Sequence, residues 1–78
     1  MVYTYVIKSK NKDYRYIGIT NNLERRFKQH NQGSGIATKS YAPFKIVLIE
    51  KHLNYHEARK REKFLKSGVG RNFLNSLK

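Results

Sequence analysis

Seventy-eight residues suffice for one small domain, near the lower size at which a hydrophobic core holds a fold without metal or disulfide support. The chain has no cysteine, which excludes a disulfide framework and a cysteine-ligated zinc site. No run approaches the ~20 apolar residues of a membrane span, and the N-terminus opens on a strand-like pattern rather than a signal peptide, so a cytoplasmic protein is expected. Seventeen Lys and Arg against five Asp and Glu leave a formal net charge of +12, spread from Lys8 to Lys78. Such an excess points to a polyanionic partner bound through counterion release, and on charge alone a ribosomal or RNA-binding protein fits equally well.

Val2 to Lys8 alternates, with Tyr3, Tyr5 and Ile7 on one face and Val2, Thr4 and Val6 on the other. Both faces are apolar enough for a largely buried strand. Ser9 to Asp13 is polar and reads as a hairpin loop returning into a second strand, Tyr14 to Gly18. Antiparallel pairing of the two strands brings Tyr5 and Tyr16 together across the ladder. Asn21 and Glu24 have capping-box spacing and start a helix with Leu23 and Phe27 as its buried stripe and Arg26 and His30 on a shared edge.

Asn31 to Ser40 is rich in Gly, Ser and Asn and reads as a long flexible loop, after which Pro43 precedes a third strand, Phe44 to Glu50. Asn54 to Glu57 repeats the capping signature and opens a second helix through Lys66, on which Ala58, Glu62 and Leu65 share one side. Ser67 to Gly70 breaks that helix, and Arg71 to Leu77 forms a short third one. The expected fold is α+β, a small antiparallel three-stranded sheet flanked by helices in the order β-β-α-β-α-α, a single domain over residues 1–78.

Tyr16-Ile17-Gly18 lies eleven residues after Tyr5 and is followed by Arg26, His30 and later Glu62. This ordered set resembles the GIY-YIG nucleases over nearly the whole chain. The first triplet, Tyr3-Thr4-Tyr5, keeps only the final tyrosine of the Gly-Ile-Tyr pattern, a departure that affects packing more than chemistry. The resemblance implies a stand-alone nuclease domain similar to the nuclease module of bacterial excision-repair incision proteins. It also implies that Arg26, eight residues after Gly18, is the family's arginine, whereas Arg25 has the wrong spacing.

Phosphodiester hydrolysis calls for a base to activate water, positive charge at the phosphate and usually a divalent metal. Glu62 is the acid without a structural assignment, since Asp13 sits in a loop, Glu24 and Glu57 read as capping partners and Glu50 ends a strand. On the apolar side of a helix its carboxylate needs a compensating cation, either a metal or a basic side chain such as Arg26. The resemblance implies the metal, so Glu62 is the expected ligand of Mg²⁺, with Mn²⁺ able to substitute.

Arg26 is expected to clamp phosphate, because a guanidinium can hold its oxygens bidentately. Tyr5 and Tyr16 are expected to orient or deprotonate the attacking water, the latter only if nearby cations lower a phenol pKa from about 10; their alternative is cross-strand packing, the role given to Tyr3 and Tyr14. His30 matches a histidine found in the family and suits proton transfer or phosphate binding, while a place near a helix C-terminus also gives it a structural reason. The resemblance further implies a late site asparagine, Asn72 or alternatively Asn75. Gly18 is expected to let the strand end approach the helix closely. His52 and His56 have no such setting.

Lys28, Lys39, Arg61, Lys66 and Arg71 are the expected contacts to the nucleic-acid backbone, with the Asn31 to Ser40 loop and Lys39 as a clamp over the substrate. Nothing in the chain encodes readout of base edges. The reading is a metal-dependent DNA endonuclease, structure-selective or weakly sequence-specific, acting in DNA repair or processing. Its partner is DNA, with RNA as the alternative ligand and a separate protein for targeting. The rival is a basic module of the same fold that binds DNA or RNA without cutting. A carboxylate near the phosphate would repel the ligand of a pure binder, which favours the enzyme.

Overall fold

The computed structural model describes residues 1–33 and 38–77. Strands β1 (Val2–Ser9), β2 (Arg15–Thr20) and β3 (Phe44–His52) form one antiparallel sheet in the order β2-β1-β3. Helix α1 (Leu23–Asn31) follows β2, a single 3₁₀ turn (Lys39–Tyr41) precedes β3, and α2 (Tyr55–Lys66) and α3 (Gly68–Ser76) close the chain. The expected α+β fold and element order are therefore present. Among the described residues no helix is long and apolar enough to cross a membrane.

The two-sided apolar character of β1 is explained by its central place, where it pairs with both neighbours and both of its faces are covered. On one face Tyr5, Ile7 and Phe44 form a buried cluster with Leu23 and Phe27 of α1 packed against it. On the other, Val6 packs with Leu65 of α2 and Leu74 of α3. Ala58 is fully buried, and its carbonyl accepts a hydrogen bond from the Thr4 hydroxyl, which fastens α2 directly to the central strand.

The β1–β3 register shifts between Val6 and Ile7, whose partners are Leu48 and Ile46. Val47 is the extra residue. A bulge turns one side of the strand over, so Phe44 faces the Tyr5 cluster whereas Val47 and Leu48 both meet the Val6 cluster. A strictly alternating strand could not divide these residues in that way.

Both helix starts are capped by asparagine, but the first cap is Asn22 and not Asn21. The Asn22 side chain accepts from the Arg25 amide at 3.1 Å. That places Glu24 one position too early for a capping box; its carboxylate acts in the first turn, where it opposes the helix dipole. At α2 the expected Asn54 cap is present, accepting from the Glu57 amide at 3.0 Å. Ser67 ends α2 and caps α3, accepting from the Gly70 amide, so α3 starts three residues earlier than the sequence pattern indicates. The expected loop is shorter too, because Asn31 belongs to α1, where its side chain accepts from the Phe44 amide at 2.6 Å. Of the Asn31 to Ser40 segment expected to act as a clamp, residues 34–37 lie outside the described residues.

The α2–α3 corner yields a test. A Cβ on Gly70 would collide with the Phe64 carbonyl oxygen and lie 2.6 Å from the Leu65 Cα, and neither backbone atom can step aside. A Cβ on Gly68, at the start of the same helix, would meet nothing within 4 Å. Gly70→Ala is expected to cost about 3 kcal/mol or more, whereas Gly68→Ala should stabilise by about 0.5 kcal/mol through lower unfolded-state entropy. Thermal melts of the two variants should move in opposite directions, and similar melting temperatures would contradict this account of the corner.

Candidate active site

The site is built around the Tyr5 hydroxyl. Tyr5 pairs with Gly18 across the β1–β2 ladder, and Tyr16 pairs with Ile7. The two tyrosines are thus diagonal neighbours rather than direct partners, with ring centroids 6.2 Å apart. The buried Tyr5 ring folds across Gly18. A Cβ there would lie 2.6 Å from Tyr5 Oη and 2.9 Å from Tyr16 Cε2. Gly18 therefore makes room for the Tyr5 phenol, a correction to the expected approach of strand to helix.

His30 is the one buried residue of α1, and its ring lies 4.9 Å from Tyr16 and 5.8 Å from Tyr5 between centroids. Its Nε2 is 2.9 Å from Tyr5 Oη, and its Nδ1 is 2.9 Å from Oγ1 of the buried Thr38. Burial, aided by the Arg26 charge, lowers the imidazole pKa from its ordinary value. The ring is therefore neutral near pH 7 and is not the imidazolium that a helix C-terminus favours. With its single N–H given to Thr38 from Nδ1, the ring accepts from the Tyr5 hydroxyl at Nε2; the other tautomer reverses both bonds.

Burial also pushes the Tyr5 pKa well above the usual phenol range; Tyr16 and Glu62 add to the rise and Arg26 opposes it. Arg26 acts in the direction expected of a neighbouring cation, but by itself it does not make Tyr5 a base. Desolvation outweighs Arg26, and Tyr5 is held as a neutral phenol. Thr38 was not legible in the sequence. It lies beside a Gly- and Ser-rich stretch, and a lone threonine there carries no signal of a buried histidine partner.

Arg26 is exposed on α1, and its charge reaches both Tyr5 and His30. Glu62, on α2, adds a negative charge that is felt at the same hydroxyl, and its side chain is 26% exposed with Oε2 3.2 Å from Lys66 Nζ. The structure therefore brings Tyr5, Tyr16 and His30 together, and Arg26 and Glu62 act on the Tyr5 hydroxyl through their charge. Glu62 belongs to no group of three or more His, Cys, Asp or Glu placed to share an ion among the described residues, so water and substrate would supply most of the ligands of a metal held there. One partly exposed carboxylate fits a hard cation that keeps most of its waters and takes substrate oxygens, the usual habit of Mg²⁺.

The remaining expected residues are scattered. Lys28, Lys39 and Asn72 are exposed on α1, the 3₁₀ turn and α3. Lys66 pairs with Glu62, and both Lys66 and Arg71 line a groove along β2. Arg61 is taken by Glu50, with hydrogen bonds of 2.6 and 3.0 Å from Nε and Nη2, and its guanidinium lies over Phe64 and Phe73. An arginine held in this way ties β3 to the α2–α3 layer and has little left to offer a phosphate. Asn75 lines a separate cavity with Lys8, Arg15 and Lys45. Tyr14, assigned to packing, stacks on Tyr41 at 3.8 Å between centroids.

Residues 1–75 match the family model described as the GIY-YIG catalytic domain. The chain belongs to the GIY-YIG family. It is 43% identical over 67 residues to a UPF0213 protein of Clostridium perfringens, covering 85% of this chain and 71% of that one. It is 36% identical over 63 residues to the UPF0213 protein YazA of Bacillus subtilis, covering 80% of this chain and 63% of that one. The solution NMR structure of a UPF0213 protein from Bacillus halodurans superposes with a TM-score of 0.57 at 30% identity, covering 97% of this chain and 84% of that one. The GIY-YIG assignment makes this a nuclease-family domain.

The His30 environment is open to direct measurement. Because its folded-state pKa is lowered, the unfolded chain takes up a proton first as the pH falls through 6.5. The associated stability is complete above that pH and is lost progressively below it. NMR titration should find the His30 ring changing charge below 6.5, its ordinary value. The melting temperature should fall between about pH 7 and pH 5 more steeply in the native chain than in His30→Gln. A His30 titration at or above the ordinary value would remove the neutral Tyr5–His30 pair.

Proposed function

We propose that this domain is a Mg²⁺-dependent DNA endonuclease, structure-selective or weakly sequence-specific, in which the Tyr5–His30 pair activates the attacking water. The observation that carries the reading is the convergence of a neutral Tyr5–His30 hydrogen bond, one arginine and one carboxylate on a single hydroxyl. Neither Tyr5 nor His30 is a strong base by itself. Together they can pass a proton: the Tyr5 oxygen takes it from water while the Tyr5 proton moves to His30 Nε2 across the 2.9 Å bond, so no free phenolate forms. Thr38 holds the opposite edge of the ring and keeps Nε2 aimed at Tyr5.

The hydroxide so formed attacks phosphorus, the bond to the leaving sugar oxygen breaks, and that oxygen is protonated from solvent. Arg26 holds the phosphate and gains strength as negative charge gathers on its oxygens. Tyr16 stands beside His30 with a hydroxyl that hydrogen-bonds no other described residue, which suits it to water or a phosphate oxygen. A cation held by Glu62 would supply further positive charge at the phosphate and leaving oxygen. Lys28, Lys39, Lys66 and Arg71 belong to the proposed backbone-contacting surface, and no feature among the described residues supplies base readout, which supports selection by shape. We place the domain in the cytoplasm, acting in DNA repair or processing with a separate protein for targeting.

A second reading has one observation in its favour. The Glu62–Lys66 ion pair is what a basic binding domain of the same fold would keep, since it neutralises the one carboxylate near the ligand. The enzyme reading requires Lys66 to leave Glu62 when a divalent cation arrives. This exchange is inexpensive, because exposed i,i+4 pairs contribute only about 0.3–0.5 kcal/mol.

Cleavage of flapped or branched DNA in Mg²⁺ or Mn²⁺ separates the two. Glu62→Gln should abolish it while leaving the fold and DNA affinity intact, or with affinity slightly raised. Native protein inactive on every such substrate with both metals would give the binding module precedence.

The two adjacent arginines provide a sharper contrast at constant charge. Neighbouring helical residues point about 100° apart, and it is Arg26 whose charge acts on both Tyr5 and His30. Arg26→Ala should lower the single-turnover rate by about 10²-fold or more, and Arg26→Lys should remain impaired because an ammonium lacks the bidentate fork. Arg25→Ala should only weaken binding slightly. Equal losses for the two alanine variants would sink the phosphate-clamp assignment.

A further inference from the structure

Lys8, at the centre of the sheet, has Arg15 of β2 and Lys45 of β3 as its direct cross-strand partners. Three cations thus stand side by side across all three strands, an arrangement that like-charge repulsion makes unfavourable in the free protein. Among the described residues the ion pairs formed by Glu50, Glu57 and Glu62 involve none of them. The three line a cavity of about 430 Å³, closed on one side by Leu74, Asn75 and Leu77. Arg15 also lines a second groove of about 380 Å³ beside β2, together with Lys66, Arg71 and Asp13. Lys66 is the side chain that holds Glu62. A basic path therefore leads from the rim of the candidate active site, past Lys66, Arg71 and Arg15, to Lys8 and Lys45.

We infer that Arg15, Lys8 and Lys45 form a second phosphate-binding station, which holds the nucleic-acid strand where it runs away from the cleavage point. The inference rests on the nucleic-acid substrate proposed above and adds where the substrate lies. The row repeats at the strand spacing of about 4.8 Å, so it extends about 10 Å across the sheet. Such a row suits successive phosphates of one strand better than a single small anion. Asn75 and the leucines beside it offer an amide and an apolar wall to the adjoining sugar and base, without the directional donors that would read a sequence. A strand drawn around the edge of β2 must bend away from the scissile phosphate, which flaps and branches do readily and continuous duplex does not. The row thereby gives shape selection a physical basis.

The test measures affinity for fluorescently labelled flapped DNA by anisotropy at a series of salt concentrations, with divalent metal chelated so that cleavage does not intervene. The double variant Lys8→Gln/Lys45→Gln should bind more weakly, and its slope of log affinity against log salt should be shallower by about 2. A matched control, Lys51→Gln/Lys63→Gln, makes the same change in net charge at exposed positions away from the row and should alter the slope less. Relief of repulsion should leave the double variant melting no lower than the native chain. If it is poorly folded, Lys45→Gln at its exposed edge-strand position carries the test, with an expected change of about 1.

A double variant indistinguishable from native protein, or a control that changes the slope as much, overturns the inference and leaves the row to an acidic protein partner. Native protein that shows the row-dependent slope yet cuts nothing in Mg²⁺ or Mn²⁺ removes the nuclease mechanism and leaves the binding path standing.

Discussion

Tyr5 lies with its phenol across the bare Cα of Gly18, and the arrangement of the site depends on that contact. Cross-strand pairing brings the two residues opposite one another, and the missing Cβ lets the ring lie down along the sheet instead of standing away from it. In that position the hydroxyl reaches His30 on α1, and His30 in turn reaches Thr38 beyond the helix. Each member locks the next. The α1 helix is oriented through a buried polar contact as well as through Leu23 and Phe27, and the segment before β3 is tied back to the same ring. A buried network of this kind is stable only when all of its members are satisfied, so the geometry of the candidate site and the docking of α1 are one constraint.

The same burial sets the charge states. Desolvation raises the Tyr5 pKa and lowers that of His30, so both groups sit in the site as neutral molecules. The charges are kept at the rim, Arg26 from one helix and Glu62 from another, acting with opposite sign on a hydroxyl that carries no charge itself. In the resting protein no ion is therefore held in this low-dielectric space, where one would be costly. Charge at the rim remains available to a ligand that brings its own.

Much of this was legible in the sequence. Alternation on both faces of Val2 to Lys8 marked a central strand, the two asparagine-initiated segments marked α1 and α2, and the spacing among Tyr5, Tyr16, Gly18 and Arg26 marked the site. What stayed hidden depends on register and on partners distant in sequence. Gly18 owes its place to lying opposite Tyr5, a fact of pairing that composition cannot express. Thr38 and Glu50 looked like loop and strand-end residues, and only tertiary structure gives them His30 and Arg61. The Asn21 and Asn22 pair shows the limit of motif spacing. Either could cap a helix, and the backbone chose the one whose side chain reaches the Arg25 amide.

The distribution of the five acids explains why so basic a chain still folds around a defined binding surface. The ion pairs of Glu50, Glu57 and Glu62 all involve cations of α2, namely Arg61, Lys60 and Lys66. Helix α2 crowds six basic or histidine residues into twelve positions, with the sequence YHEARKREKFLK, and receives most of the available neutralisation. The hairpin end of the sheet receives little, so Lys8, Arg15 and Lys45 keep their charge in full. With Glu50, Glu57 and Glu62 all engaged by cations of α2, only Asp13 lies beside the row of Lys8, Arg15 and Lys45, and that row is left to attract a polyanion at long range.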